Sequence, residues 1–162
     1  MAFTGRTSLA LAQVDDLDGR PSGLSDAIAA TLRLSVEAVR TREPATVAKA
    51  VRDNLAEAAK GPGGVVTAIL VLGSLGRVDE AFAVAEGYLL RRGAPLMPLD
   101  RARSQPVVGD QRQRKTMMLF VPPSAVMRSD VRFIELCRGC GLVDYWTQSR
   151  RWPDFLKGRR IT

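Results

Sequence analysis

Two cysteines three residues apart, Cys137 and Cys140, are the pattern in this chain best suited to chemistry. A C-x-x-C pair serves a zinc site or a dithiol redox centre. Two thiolates supply half of a tetrahedral zinc shell, and the 162 residues contain no histidine to complete it. A redox centre wants its thiol at the start of a helix, where the dipole lowers the thiol pKa. Here the motif runs into Gly141, a helix-stop residue, so both sulfurs fall at a helix end. Core packing is the favoured reading, ahead of a redox switch and of a metal site shared with another chain. No intramolecular metal and no cofactor are expected.

Other candidates fail at defined positions. Asp15-Asp16-Leu17-Asp18-Gly19 resembles a calcium loop, but with Gly19 at the glycine position the first ligand falls on Val14 and the bidentate glutamate on Ser25. A solvated turn is expected. Gly61-Pro62-Gly63-Gly64 precedes an apolar stretch and lacks the lysine and hydroxyl of a phosphate-binding loop, so it reads as a linker. With no histidine, and no serine, cysteine or carboxylate pair in a nucleophile setting, the chain is not expected to be an enzyme.

Charge is unevenly spread. Residues 1–95 carry eleven Lys/Arg and eleven Asp/Glu, whereas residues 96–162 carry thirteen against six, which accounts for the whole net charge of +7. Such an excess suits an anionic partner. The basic side chains are mostly scattered, with Arg112, Arg114 and Lys115 the one dense cluster before the Arg159-Arg160 tail. A solvated surface is the favoured reading. The runner-up is a small nucleic-acid-binding protein, which requires Arg101, Arg103, Arg112, Arg114 and Lys115 to converge on one surface.

The elements that must hold these residues are helices. Residues 24–42 place Ile28, Leu32, Ser35, Val36 and Val39 at helical spacing behind Ser25 and Asp26 as caps. Pro44 restarts the chain, and Val47, Val51, Leu55, Ala58 and Ala59 follow. Residues 65–75 are apolar nearly all round, the mark of a helix covered on several sides, and Gly76 breaks it. The next helix carries Val78, Ala81, Phe82, Ala85, Tyr88 and Leu89 on one face, Asp79 and Glu80 at its start, Arg91 and Arg92 in its last turn, and Gly93 beyond.

Prolines 95, 98 and 106 and Gly109-Asp110 mark a long excursion over 94–123, with one short helix expected over 110–118. It reads as a crossover returning Met117, Met118, Leu119, Phe120 and Val121 to the core, or as a basic lid over a groove. Ser129 or Asp130 then caps a helix bearing Phe133, Ile134, Leu136, Cys137 and Cys140, and a last helix over 143–149 presents Tyr145 and Trp146. No run approaches the roughly eighteen apolar residues of a membrane span, and residues 1–14 are too polar for a secretion signal. A cytoplasmic location is expected.

Two sets of residues resemble a known family. Leu75-Gly76 with Ala81 matches the inter-helix turn of tetratricopeptide repeats, and Asp130-Val131-Arg132-Phe133, Gly141-Leu142 with Tyr145-Trp146, and Trp152-Pro153-Asp154-Phe155 resemble the end of the repeat arrays in bacterial TolB-like or adenylate-cyclase-associated regulators. The likeness covers roughly 65–155. Departures fall at Ile69, Tyr88, Gly93 and Val131, where the family has two small residues and two prolines. Terminal repeats are commonly atypical because they cap the stack.

The resemblance implies an all-α, short tetratricopeptide-like solenoid of antiparallel helix pairs, closed by a C-terminal aromatic hook of Phe133, Tyr145, Trp146, Trp152 and Phe155. Residues 1–23 form an N-terminal segment, disordered or helical, 24–155 the helical-repeat domain, and 156–162 a basic tail. The implied function is a non-catalytic protein–protein interaction scaffold with a protein or peptide partner, being a truncated or separately encoded regulatory module. Because two pairs fall short of the roughly three repeats a solenoid needs, self-association is a further expectation; binding of nucleic acid or membrane is not expected.

Overall fold

The computed structural model describes residues 2–19, 21, 24–93 and 116–156. Among these the secondary structure is all helical: eight α-helices and four short 3-10 turns. After a 3-10 turn at Ala2–Thr4 come α1 (Thr7–Asp15), α2 (Asp26–Thr41), α3 (Pro44–Ala58), α4 (Pro62–Leu75) and α5 (Val78–Leu89). Beyond the undescribed stretch come α6 (Ala125–Arg128), α7 (Arg132–Gly139) and α8 (Leu142–Ser149).

The helix boundaries follow local chemistry. The Ser25 side chain accepts the Ile28 N–H at the start of α2, and Glu43 accepts the Ala45 and Thr46 N–H groups at the start of α3, with Pro44 at the first helical position. Gly76 adopts φ 74° after α4, and the Arg77 N–H closes back on the Leu72 carbonyl, the bond pattern of a left-handed helix stop. The end of α5 departs from expectation. Its helix stops at Leu89, and Arg91 rather than Gly93 takes the first left-handed position, at φ 57°, with the Arg92 N–H reaching the Glu86 carbonyl.

Helix α4 is the centre of the packing. It contacts α2, α3, α5 and α6, as well as the 3-10 turn Pro122–Ser124. Val65, Ala68, Ile69, Val71 and Leu72 are all buried. Apolar side chains on every face leave no orientation in which this helix is stable alone, so neighbours must surround it.

The linker expected at Gly61-Pro62-Gly63-Gly64 is instead the extended N-cap Gly61 followed by the first turn of α4. Proline is tolerated there because the N–H it lacks has no partner in a first turn. Gly64 is needed for close approach: a Cβ on it would stand 2.1 Å from the Glu57 carbonyl oxygen of α3. Gly73 does the same at the other end, where a Cβ would stand 2.5 Å from the Pro123 carbonyl oxygen.

Residues 116–124 return the chain to this core through two 3-10 turns. Met118 and Leu119 are buried, whereas Met117, expected to go inward with them, is 72% exposed, since a tight turn cannot aim three consecutive side chains the same way. The Arg128 guanidinium holds the turn by donating to the Leu119 and Val121 carbonyls at 3.0 and 2.9 Å, and the Ser124 hydroxyl donates to the Met118 carbonyl. The helix expected over 110–118 lies mostly outside the described residues; its last two positions begin the 3-10 turn Met117–Leu119. A buried polar pair ties α2 to α3, with Asn54 Nδ2 donating to Ser35 Oγ at 2.8 Å.

The glycine contacts separate two ordinarily similar substitutions. Gly73→Ala is expected to destabilise by about 1–3 kcal/mol, because backbone rather than a pliable side chain obstructs the methyl group. Gly63→Ala, with nothing within 4 Å of the added carbon, is expected to stabilise by up to about 1 kcal/mol. Urea denaturation of the two variants checks the opposite signs.

Candidate binding cleft

Helix α1 covers α2 only in part. Its sequence, Thr7-Ser8-Leu9-Ala10-Leu11-Ala12-Gln13-Val14-Asp15, has no strong apolar stripe; Ala10 is its sole buried residue, and Leu9 is 51% exposed. At its C-terminal end Asp15 pairs with Arg33 of α2, and the Asp16 carboxylate accepts the Gly19 N–H at 2.9 Å, forming a local turn. Two carboxylates of the calcium-loop resemblance are thus engaged by a guanidinium and a backbone amide.

A cleft of about 490 Å³ remains under α1. Ala10, Gln13 and Val14 form one wall, Leu32, Ser35 and Val36 of α2 a second, and Thr67, Leu70 and Val71 of α4 the floor, with Phe3, Gly19, Pro21 and Leu24 at the margins. None of these side chains titrates. The volume lies within the roughly 300–1,000 Å³ range of ligand sites. Such a cleft can desolvate and orient an apolar group.

The C-terminal aromatics gather elsewhere. Phe133 is wholly buried and meets Phe155 edge to face at 5.5 Å between ring centres; Trp146, 6% exposed, meets Phe155 at 6.2 Å. Phe120 joins Phe133 and Trp146 at 6.0 and 6.3 Å, also edge to face, the arrangement that ring quadrupoles favour. Trp152 lies against Trp146 at 6.2 Å yet is 39% exposed. Tyr145, expected in the hook, is 57% exposed, because one residue along α8 from Trp146 is about a 100° turn away from the core. Leu156, expected to open the basic tail, is buried, and its N–H bonds to the Pro153 carbonyl. Residues 157–162 lie outside the described residues.

Arg132 joins this cluster to the helix pairs. Its guanidinium donates to Asp130 at 2.7 and 2.9 Å, pairs with Asp79 of α5 at 2.9 Å, and sits 4.4 Å over the Phe82 ring. Asp130 also accepts the Arg132 N–H at 2.9 Å and so caps the start of α7. Its hydrogen bonds from Arg132 hold the carboxyl at about 2, well below the ordinary range.

The two cysteines are free thiols. Cys137 is buried against the core cluster, and Cys140 is partly buried where α7 ends. Burial, and secondarily the neighbouring Cys140, push Cys137 up to about 12; burial also raises Cys140. Both therefore remain protonated at neutral pH, unlike a reactive thiolate. The basic candidates Arg101, Arg103, Arg112, Arg114 and Lys115 lie outside the described residues. No motif encodes the cleft; its trace in the sequence is Leu32 of the α2 apolar stripe, which lines the cleft and remains partly exposed.

Trp146→Ala is expected to cost about 3–5 kcal/mol, and Trp152→Ala no more than about 2 kcal/mol because its ring is already partly solvated; denaturant midpoints give the comparison. For Cys137 the folded pKa lies above the unfolded one. Its contribution is therefore fully present below about pH 8.5 and declines toward pH 12 as the unfolded chain alone loses the proton. Wild type is expected to lose more melting temperature than Cys137→Val between pH 8.5 and 11; equal slopes would refute the burial. No family model, curated protein or solved structure matches this chain.

Proposed function

We propose that this chain is a non-catalytic protein–protein interaction module in which α2–α5 act as two antiparallel, tetratricopeptide-like helix pairs and the cleft under α1 receives apolar side chains of a peptide or protein partner. The observation that carries the reading is the cleft itself: a concavity of about 490 Å³ walled by apolar side chains of α2 and α4. Affinity would come from burying a partner's apolar anchor in a desolvated pocket, the usual source of binding energy at interfaces. The inter-helix turn adds support for the repeat-like character. Gly76 takes the left-handed conformation there, and Ala81 is fully buried where α5 meets its neighbours. A regulatory role in the cytoplasm belongs to the same proposal.

Selection from a displayed random-peptide library tests it. Peptides that bind the wild-type chain are expected to lose at least about tenfold in affinity, equivalent to ~1.4 kcal/mol, in Leu70→Trp, which fills the cleft. Val131→Trp, on a position 89% exposed and outside the cleft lining, is expected to leave affinity unchanged. A library that yields no binder, or binders indifferent to Leu70→Trp, removes the cleft as the partner site. Duplex-DNA binding that survives about 200 mM salt would instead favour a nucleic-acid partner.

A further inference from the structure

We infer that the binding surface continues past the cleft to Arg42, so that the partner is a peptide segment with an apolar anchor and, a few residues from it, an aspartate or glutamate. The inference deepens the function proposed above and rests on it. A second concavity of about 430 Å³ adjoins the cleft, with Val39 and Arg42 of α2 and Gly73 and Ser74 of α4 among its lining residues. Phe3 lines both. The cleft takes Leu32, Ser35 and Val36 from α2 and Thr67, Leu70 and Val71 from α4, and the second concavity takes the next turns of the same two helices in the same direction. The two are successive stretches of one groove.

Charge distinguishes the second stretch. A guanidinium has five N–H donors, and Arg42 gives one of them to the Ser74 carbonyl at 2.7 Å. That bond holds the charged group against the end of α4. Among the described residues its other N–H groups have no partner. The carboxylate next in the chain, Glu43, already accepts the Ala45 and Thr46 N–H groups as the cap of α3.

Helix ends oppose an anion where unsatisfied carbonyls gather, and both α2 and α4 end here. Several of those carbonyls are answered: Ala38 accepts the Arg42 N–H, Leu72 the Arg77 N–H, and Gly73 the Gly76 N–H. A carboxylate reaching Arg42 meets a full positive charge with free donors in a planar fork that matches its two oxygens. Because Arg42 is exposed, such a pair contributes little by itself. A carboxylate on a segment already anchored in the cleft is delivered at high effective concentration, which makes the occupant one peptide rather than a free anion. From the midpoint of Leu32 and Val36 to Arg42, α2 advances roughly 12 Å at about 1.5 Å per residue. An extended peptide covers that span in about three or four residues.

The random-peptide selection supplies the ligands. Peptides selected on the wild-type chain are expected to share an acidic residue about three or four positions from the apolar anchor, and changing that acid to its amide is expected to lower affinity about threefold. In Arg42→Met the acid and amide peptides are expected to bind alike. In Arg42→Glu, a peptide with lysine at that position is expected to bind more tightly than its acidic parent. Arg151→Glu, which changes the net charge by the same amount at an exposed position outside both concavities, is expected to keep the acidic preference. Circular dichroism confirms that the variants fold, and Arg42→Met decides the matter if Arg42→Glu does not.

Selected peptides without an acidic bias, or an acid-to-amide loss of the same size in wild type and Arg42→Met, overturn this inference and leave the cleft as a binding surface. An acidic preference that depends on Arg42 in peptides indifferent to Leu70→Trp places Arg42 on a different surface and removes both readings. A library that yields no binder removes both as well.

Discussion

The structure depends on surrounding one helix that has no polar face. Buried residues of α4 include Val65, Ala68, Ile69, Val71 and Leu72, and burying each medium-sized side chain contributes roughly 1.5–3 kcal/mol. That gain requires neighbours at short range. Gly64 lets the end of α3 approach until the Glu57 carbonyl occupies the place of a side chain, and Gly73 admits the Pro123 carbonyl in the same way. Helices α2, α3, α5 and α6 then pack on what remains. The two glycines each forgo helix propensity of about 1 kcal/mol relative to alanine, and the sites hold because the close contacts they permit bring large apolar surfaces together.

The C-terminal residues form a second layer of dependence. Phe133, Leu136 and Cys137 of α7 and Trp146 of α8 join the same core as α4 and α5, so the aromatic cluster is continuous with it. Arg132 adds a polar link to that attachment. Its planar guanidinium satisfies Asp130 and Asp79 at once while lying over Phe82, a combination that lysine, with one compact charged group, cannot reproduce. Local hydrogen bonding at Asp130 and long-range pairing to α5 thus share a single side chain.

Features governed by local chemistry were the most legible in the sequence. Ser25, Pro44, Gly76 and Gly141 each mark a boundary through capping, fixed φ or left-handed freedom, and the apolar run after Gly64 announces a surrounded helix. Gly61-Pro62-Gly63-Gly64 misleads because composition alone signals a break; only the carbonyl packed against Gly64 explains why glycine belongs inside a helix. Arg91 ends α5 in a conformation that its residue type disfavours, and sequence gives little warning of that. Trp146 and Tyr145 are adjacent and similar in kind, yet one is core and the other surface, which helical phase decides and composition does not. The cleft is less legible still, because it arises from how little α1 covers.

The two sides of that cleft are held with unequal strength. Its floor belongs to α4, the most thoroughly buried helix, and the α2 wall is fixed to α3 by the Ser35–Asn54 hydrogen bond. The wall on α1 is held by burial of Ala10, by half-buried Leu11 and Val14, by contact with the Ala2–Thr4 turn and by an exposed ion pair between Asp15 and Arg33, and exposed pairs contribute little. Segments with few buried contacts open at lower free energy than the core around them. Under the proposed function, a partner group entering the cleft would meet a floor and α2 wall fixed by the core on one side and the less buried α1 on the other. Half-buried Leu11 and Val14 on α1 are where such a group would add apolar contact.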